Sequence, residues 1–140
     1  MGDPREPPIV NLLLRGHRVL VDEIDRALSP FSINASQFVI VSRLSDARIA
    51  YAVELCRDIG CDPGGMSRTL ERLEVKGFLN RARSETDRRA VRVTLTEHGR
   101  ELLPILRERV MGVLQGLLQG FSVDEVTQLE HFLKRFLAIA

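Results

Sequence analysis

The sequence contains no tryptophan, only one tyrosine and only two cysteines, and its longest uninterrupted apolar runs are four or five residues. Two cysteines in 140 residues are too few for a disulfide scaffold and are typical of a protein kept in the reducing cytoplasm. Apolar runs this short predict no membrane span. Residues 1–8 carry charges and three prolines instead of a basic start followed by an apolar stretch, so we expect a flexible leader and not a signal peptide.

Lysine is also scarce, because 18 of the 20 basic residues are arginine. The formal net charge of +1 hides an uneven distribution along the chain. The segment 66–92 holds eight basic and four acidic side chains, a net charge of +4, and the rest of the chain carries −3. Such a basic segment indicates a polyanionic partner, although a solvated charged face is the alternative.

Motifs typical of catalytic, metal and phosphate-binding sites are missing as well. No Ser/His/Asp set, cluster of metal ligands or glycine-rich phosphate loop has a suitable spacing. We therefore expect no enzyme activity, no metal and no cofactor.

The first half of the chain has helical spacing of its apolar residues. A long helix is predicted over 9–28 and is ended by Ser29-Pro30. Asn34 and Gln37 form a capping-box pattern that opens a second helix over about 35–45. The residues predicted to share one side of this second helix are Phe38, Val39, Val41 and Leu44.

Two further helices are predicted around a glycine turn. The first covers 50–58 and ends at Ile59-Gly60, and Asp62-Pro63 opens the next, which runs to Lys76. The residues of this next helix predicted to face inward are Met66, Leu70, Leu73 and Val75. Cys56 and Cys61 flank the turn, where small residues pack; redox sensing or metal binding is the alternative.

After Gly77 the period of the pattern changes from helical to two. The runs 79–83 and 91–95, joined by a charged loop, predict a β-hairpin, and two helices follow from Thr96 and Ser122. The predicted fold class is therefore mainly α with a small β-hairpin wing, a winged helix-turn-helix. We expect this lobe to span 31–95, with an N-terminal helix over 9–30 and C-terminal helices over 96–140 whose apolar faces form a dimer interface.

A winged helix-turn-helix places its second helix in the major groove of DNA, so residues early in that helix are candidate contacts. Arg68 can bind guanine O6 and N7 in a bidentate pair, whereas Arg72 is better placed for phosphate. Paired arginines at the hairpin tip suit a narrow minor groove. The residues expected to bind DNA are Gly64, Gly65, Ser67, Arg68, Arg72, Arg81, Asp87, Arg88 and Arg89.

The run from Ile33 to Leu103 resembles the MarR family of winged-helix transcriptional regulators. The segments that carry the resemblance are Ile33-Asn34 with Gln37-Phe38, Ser67 to Leu70, Leu73 to Leu79 with Arg81, Asp87 to Arg89, and Val93 to Thr96 with Gly99. The resemblance implies a homodimer on a pseudo-palindromic operator in double-stranded DNA. It also implies that Arg68 contacts the major groove, that Arg88 contacts the minor groove, and that Asp87 supports Arg88.

The resemblance further implies release from DNA by a small aromatic or phenolic acid. Arg15, His17 and Arg18 on the first helix, and Tyr51, are the candidate ligand-binding residues, although a solvent-facing or packing role is the alternative. The function predicted is a DNA-binding repressor released by such a ligand. A winged-helix protein-interaction module and a cysteine-based redox regulator are the alternatives, and the cysteine that one redox branch of the family carries near the start of the first helix is absent here.

Overall fold

The computed structural model describes residues 8–46, 50–86 and 90–139, and within them six α-helices and one short 3-10 helix (Ser29–Phe31) surround a small sheet. The elements are α1 (Pro8–Leu28), α2 (Ala35–Asp46), β1 (Ala50–Tyr51), α3 (Ala52–Ile59), α4 (Pro63–Val75), β2 (Leu79–Arg83), β3 (Val91–Leu95), α5 (Glu97–Leu117) and α6 (Val123–Ile139). This order confirms the predicted fold class of a helical protein with a hairpin.

The helix starts are set by local hydrogen bonds that the sequence pattern predicts. Asn34 Oδ1 accepts from the Gln37 N–H at 2.9 Å, and Gln37 Oε1 accepts from the Asn34 N–H at 3.2 Å. Ser122 and Glu125 make the same reciprocal pair at the start of α6. Each pair satisfies backbone donors that the first helical turn leaves unpaired, so the capping box predicted at Asn34 is confirmed and α6 begins with a second one.

The sheet has three strands in the order β1-β3-β2, and both pairings are antiparallel. Leu79 pairs with Leu95 and Arg83 with Val91, which confirms the predicted hairpin. Strand β1 was not predicted, and the helix expected from residue 50 begins instead at Ala52. Two residues are too short to show a period-two pattern, and only their pairing with β3 makes them a strand.

The core lies between the C-terminal half of α1, helix α2, the first half of α5, the helix-turn-helix and the sheet. Its most deeply buried side chains are Leu28, Val41, Leu70, Leu73, Leu79, Val93 and Leu106. Val75 was predicted to face inward but is 83% exposed, and Val39, predicted to share one side of α2 with the buried Val41 and Leu44, is 42% exposed. Val75 lies nine residues after the buried Met66, which is half a turn away from the buried face at 3.6 residues per turn.

The start of α5 packs directly against the chain that leads into β2. A Cβ atom at Gly99 would lie 2.4 Å from the Phe78 carbonyl oxygen, which itself accepts a hydrogen bond from the Thr96 N–H at 3.0 Å. The Thr96 hydroxyl accepts from the Gly99 N–H at 3.0 Å and caps the helix. Only glycine fits this approach without moving the backbone.

The two ends of the chain expose apolar surface. The N-terminal half of α1 and the whole of α6 have no buried residue. An apolar groove of about 510 Å³ lies between them, lined by Ile9, Val10, Leu13, Leu14, Leu133, Phe136 and Leu137. Among the described helices none combines the length and apolarity that crossing a bilayer requires.

Candidate nucleic-acid interface

Helix α4 begins with a cap that brings a carboxylate onto two glycines. Asp62 accepts a hydrogen bond from the Gly65 N–H at 2.7 Å, and Pro63 occupies the first helical position. Cβ atoms at Gly64 and Gly65 would each lie 3.3 Å from the Asp62 carboxylate. The glycines therefore allow the close contact with the Asp62 cap. Because they have no side chains, they also leave the first turn of α4 accessible to the backbone of a binding partner.

One face of α4 is exposed and basic. Arg68 and Arg72, one turn apart, both lie in solvent, and together with Glu71, Val75 and Lys76 they line a shallow groove of about 460 Å³. The Lys76 ammonium donates to the Ser32 carbonyl and, at 3.3 Å, to Gln37 Oε1. The cation at the end of the helix thus anchors α4 to the start of α2, whereas Arg68 and Arg72 are presented to the outside.

Arg81 ties β2 to α4 through Glu74. Its guanidinium donates to Glu74 Oε1 at 3.1 and 3.3 Å, and its backbone N–H donates to Glu74 Oε2 at 2.9 Å. The hydrogen bond from the Arg81 N–H, helped by the guanidinium, lowers the pKa of Glu74 against the opposing effect of burial. The Glu74 carboxylate of α4 therefore bonds to strand β2.

We expect Glu74→Gln to flatten the loss of stability in acid. A folded-state pKa below the ordinary value of 4.5 means that the unfolded chain takes up this proton at higher pH than the folded chain. The stabilisation is therefore complete above pH 4.5 and is lost as the pH falls through the folded pKa. Denaturant unfolding at a series of pH values should show the stability difference between wild type and Glu74→Gln shrinking below pH 4.5.

Glu71→Gln is the matched control, because Glu71 is exposed on the same helix. It should leave the acid limb of the stability curve close to that of the wild type. A Glu74→Gln curve that runs parallel to the wild-type curve at every pH would contradict the role given to this carboxylate.

Next to α4, backbone hydrogen bonds extend beyond the paired strands of the hairpin. The Ser84 N–H donates to the Ala90 carbonyl at 2.9 Å beyond the last strand pair, and Ser84 is buried. Arg83 is exposed and Arg92 is half-buried on the paired strands. The predicted tip residues Asp87, Arg88 and Arg89 lie outside the described residues, so their role in binding stays a prediction.

A cavity of about 510 Å³ lies between α3, α4 and the sheet. Its wall includes Cys56, Cys61, Met66, Ser67 and Arg81, together with Leu70 and Val91. The four candidate ligand-binding residues lie elsewhere. Arg15, His17 and Arg18 are exposed on α1, and Tyr51 is half-buried on β1 opposite Arg92.

The sequence of the helix-turn-helix and hairpin matches a protein-family model. The MarR family model covers residues 33–91. The multiple antibiotic resistance protein MarR of Salmonella typhimurium is 33% identical over 115 residues, which are 81% of this chain and 80% of that protein. The chain belongs to the MarR family.

Solved MarR structures share the whole architecture. A mutant MarR from Escherichia coli complexed with operator DNA aligns with a TM-score of 0.86 at 30% identity, covering 94% of this chain and 94% of that one. The apo form of wild-type Escherichia coli MarR aligns with a TM-score of 0.76 at 30% identity, covering 95% and 98%. The chain is thus more similar in shape to the DNA-bound form than to the apo form.

Within this MarR-family fold, the predicted contacts separate into two groups. Gly64, Gly65, Ser67, Arg68 and Arg72 lie together on the first turns and outer face of α4. Arg81 lies on strand β2, with its side chain 27% exposed and bonded to Glu74. Sequence reasoning missed this pairing, which joins residues seven apart across a change from helix to strand; the only available signal was the opposite charge of the two residues.

Proposed function

We propose that this MarR-family chain is a homodimeric, sequence-specific DNA-binding repressor that acts in the cytoplasm. The observation that carries the proposal is the exposed basic face of α4, with Arg68 and Arg72 turned outward. The Glu74–Arg81 pair holds the adjacent hairpin against this helix, so α4 and the hairpin keep a fixed relative position. The alignment of 94% of this chain with a MarR that binds operator DNA supports the same function.

The proposed dimer interface is formed by α1, α5 and α6. Exposed apolar side chains at both chain ends include Leu12 and Leu14, each more than 60% exposed, and Phe132 and Phe136, each more than 55% exposed. Apolar patches of this extent on a folded protein mark interaction surfaces. A two-fold dimer through these helices places two copies of α4 side by side, as a pseudo-palindromic operator requires.

The cavity behind α4 is the proposed site of the small ligand. Its volume of about 510 Å³ suits an aromatic acid, its walls are mainly apolar, and Arg57 supplies a cation for a carboxylate, since Arg81 is already paired with Glu74. Since Met66, Ser67 and Leu70 of α4 form part of the wall, an occupant would press on the helix that reads DNA. We place the ligand here and not at Arg15, His17, Arg18 or Tyr51, because none of these four lines the cavity.

The function is tested by selecting tight-binding duplexes from a random DNA library and then titrating the selected duplex at several salt concentrations. We expect enrichment of an inverted repeat. We also expect the association constant to fall steeply with salt, by about a thousandfold or more between 50 and 200 mM for six or more phosphate contacts. Addition of benzoate, as a simple aromatic acid, should lower the affinity further.

Each part of the proposal has its own failure. Lack of any enriched sequence, or an affinity that salt leaves unchanged, would reject DNA binding and favour the protein-interaction module. Enrichment of a single asymmetric site by a monomeric protein would reject the dimer. Undiminished binding in benzoate and in other aromatic acids would reject the ligand while leaving DNA binding intact.

A further inference from the structure

The cap at the end of α3 brings the two cysteines into contact. Gly60 adopts a left-handed φ of +80°, and the Cys56 carbonyl accepts from the N–H groups of both Gly60 and Cys61. In such caps the residue after the glycine commonly packs on the last turn of the helix. Here both partners in that packing position are cysteine, and their sulfur atoms lie 3.8 Å apart.

The two thiols are reachable and have partners of their own. Both side chains are half-buried and both line the cavity of about 510 Å³. The Cys56 thiol donates to the Cys61 carbonyl at 2.5 Å. Burial raises the pKa of the Cys61 thiol, and its hydrogen bond with Cys56 raises it further.

The sulfur separation suits a chelated metal ion. Two sulfurs 3.8 Å apart, each at about 2.3 Å from one ion, subtend an angle of about 110° at the metal. A disulfide bond would require the two sulfur atoms to approach to about 2.05 Å, whereas a metal ion can bind both at their present separation. The cap already fixes the backbone at Cys56 and Cys61, so binding of an ion costs little further conformational entropy.

We propose that Cys56 and Cys61 form a two-thiolate site for a soft metal ion, of which Cu(I) is the best match. Thiolate ligands select soft ions such as Cu(I) and also bind zinc. Structural zinc sites use four protein ligands, and the described residues contain no group of three or more histidine, cysteine, aspartate or glutamate side chains arranged for a metal. An ion that is satisfied by three ligands in a roughly trigonal arrangement, two of them these thiolates and the third entering from the cavity, fits this pair and its angle of about 110° better.

Binding exchanges protons for metal without electron transfer. The S–H bonds of Cys56 and Cys61 break, two metal–sulfur bonds form, and two protons pass to solvent while the copper stays in its monovalent state. The site does not depend on the proposed DNA-binding function, since it consists only of the α3 cap and the cavity wall.

The test is an anaerobic titration of the purified full-length chain with Cu(I) buffered by the chromophoric chelator bicinchoninate. We expect one ion per chain. Because the chain has only two cysteines, Cys56→Ser and Cys61→Ser each remove half of the chelate and should weaken binding by about 100-fold or more. Met111→Leu, which removes an exposed sulfur on α5, is the matched control and should bind like the wild type.

Two further measurements keep the result clear if a serine variant folds poorly. Thermal melts of the metal-free variants report folding, and X-ray absorption of the loaded wild type should show two sulfur neighbours at the copper. Cu(I) affinity unchanged in either serine variant, or one ion shared by two chains, would overturn the proposal. Tighter binding of Zn(II) at equal free concentration would overturn the choice of metal, and recovery of a 56–61 disulfide in place of bound copper would favour the redox regulator instead.

Discussion

Gly99→Ala is expected to lower the free energy of unfolding by about 3 kcal/mol. The added methyl group would lie 2.4 Å from the Phe78 carbonyl oxygen, a backbone atom that has no flexible side chain to move aside. Shifting that carbonyl would break its hydrogen bond from the Thr96 N–H, and moving α5 would disturb the Thr96 cap on the Gly99 N–H. Chemical denaturation at one fixed protein concentration measures the loss, since the apparent stability of a dimer depends on concentration.

Gly112→Ala is the control for this substitution, because both glycines lie in α5. A Cβ atom at Gly112 meets no atom within 4 Å, and alanine is favoured over glycine in a helix by about 1 kcal/mol. The two substitutions should therefore change stability in opposite directions. Equal midpoints for Gly99→Ala and wild type would show that the junction between β2 and α5 is looser than its geometry indicates.

Arg68→Ala is expected to weaken binding to the selected duplex by about 10- to 100-fold and to remove the preference at one base pair of each half-site. A bidentate contact from arginine to guanine contributes about 1–3 kcal/mol of discrimination, and alanine offers neither donor. Arg68 is exposed on the outer face of α4, so its removal leaves the core unchanged. Competition binding with a panel of single-base variants of the duplex measures both effects.

Two matched arginines separate base reading from general attraction. Arg72→Ala, one turn along the same face, should weaken binding to all duplexes alike and lower the salt slope by about one, as loss of a phosphate contact does. Arg26→Ala, at the end of α1 where Arg26 pairs with Glu23, should leave DNA binding unchanged. If Arg68→Ala and Arg72→Ala weakened every duplex equally, Arg68 would be a phosphate contact and the base-reading role would be wrong.

The parts of the fold that the sequence predicted well depend on neighbouring residues. Asn34 and Gln37 are three residues apart, and a capping box is a property of that spacing alone. Asp62 and Thr96 cap their helices as expected for the same reason. Periodicity was equally sufficient for the hairpin, because both of its strands are five residues long.

The parts that escaped prediction depend on distant partners. Strand β1 exists because Ala50 lies beside Val93, 43 positions further along the chain. Val75 is apolar and was therefore assigned inward, but its angular position on α4 places it outside. The turn at Gly60, by contrast, is local, and the sequence places Cys56 and Cys61 on either side of it, but the contact between their sulfur atoms depends on side-chain orientations that a sequence pattern does not give.

The Glu74–Arg81 link has a consequence for the DNA sequences that this protein can use. Helix α4 and the hairpin are joined by three hydrogen bonds to one carboxylate, so they form one rigid unit. The distance along the double helix between the bases that each part meets is then fixed by the protein. A base substitution in a half-site removes individual contacts only. An inserted base pair, by contrast, would change the distance between the bases that α4 and the hairpin meet, so that both could no longer bind at once. Operators of this regulator should therefore diverge in composition while conserving their length.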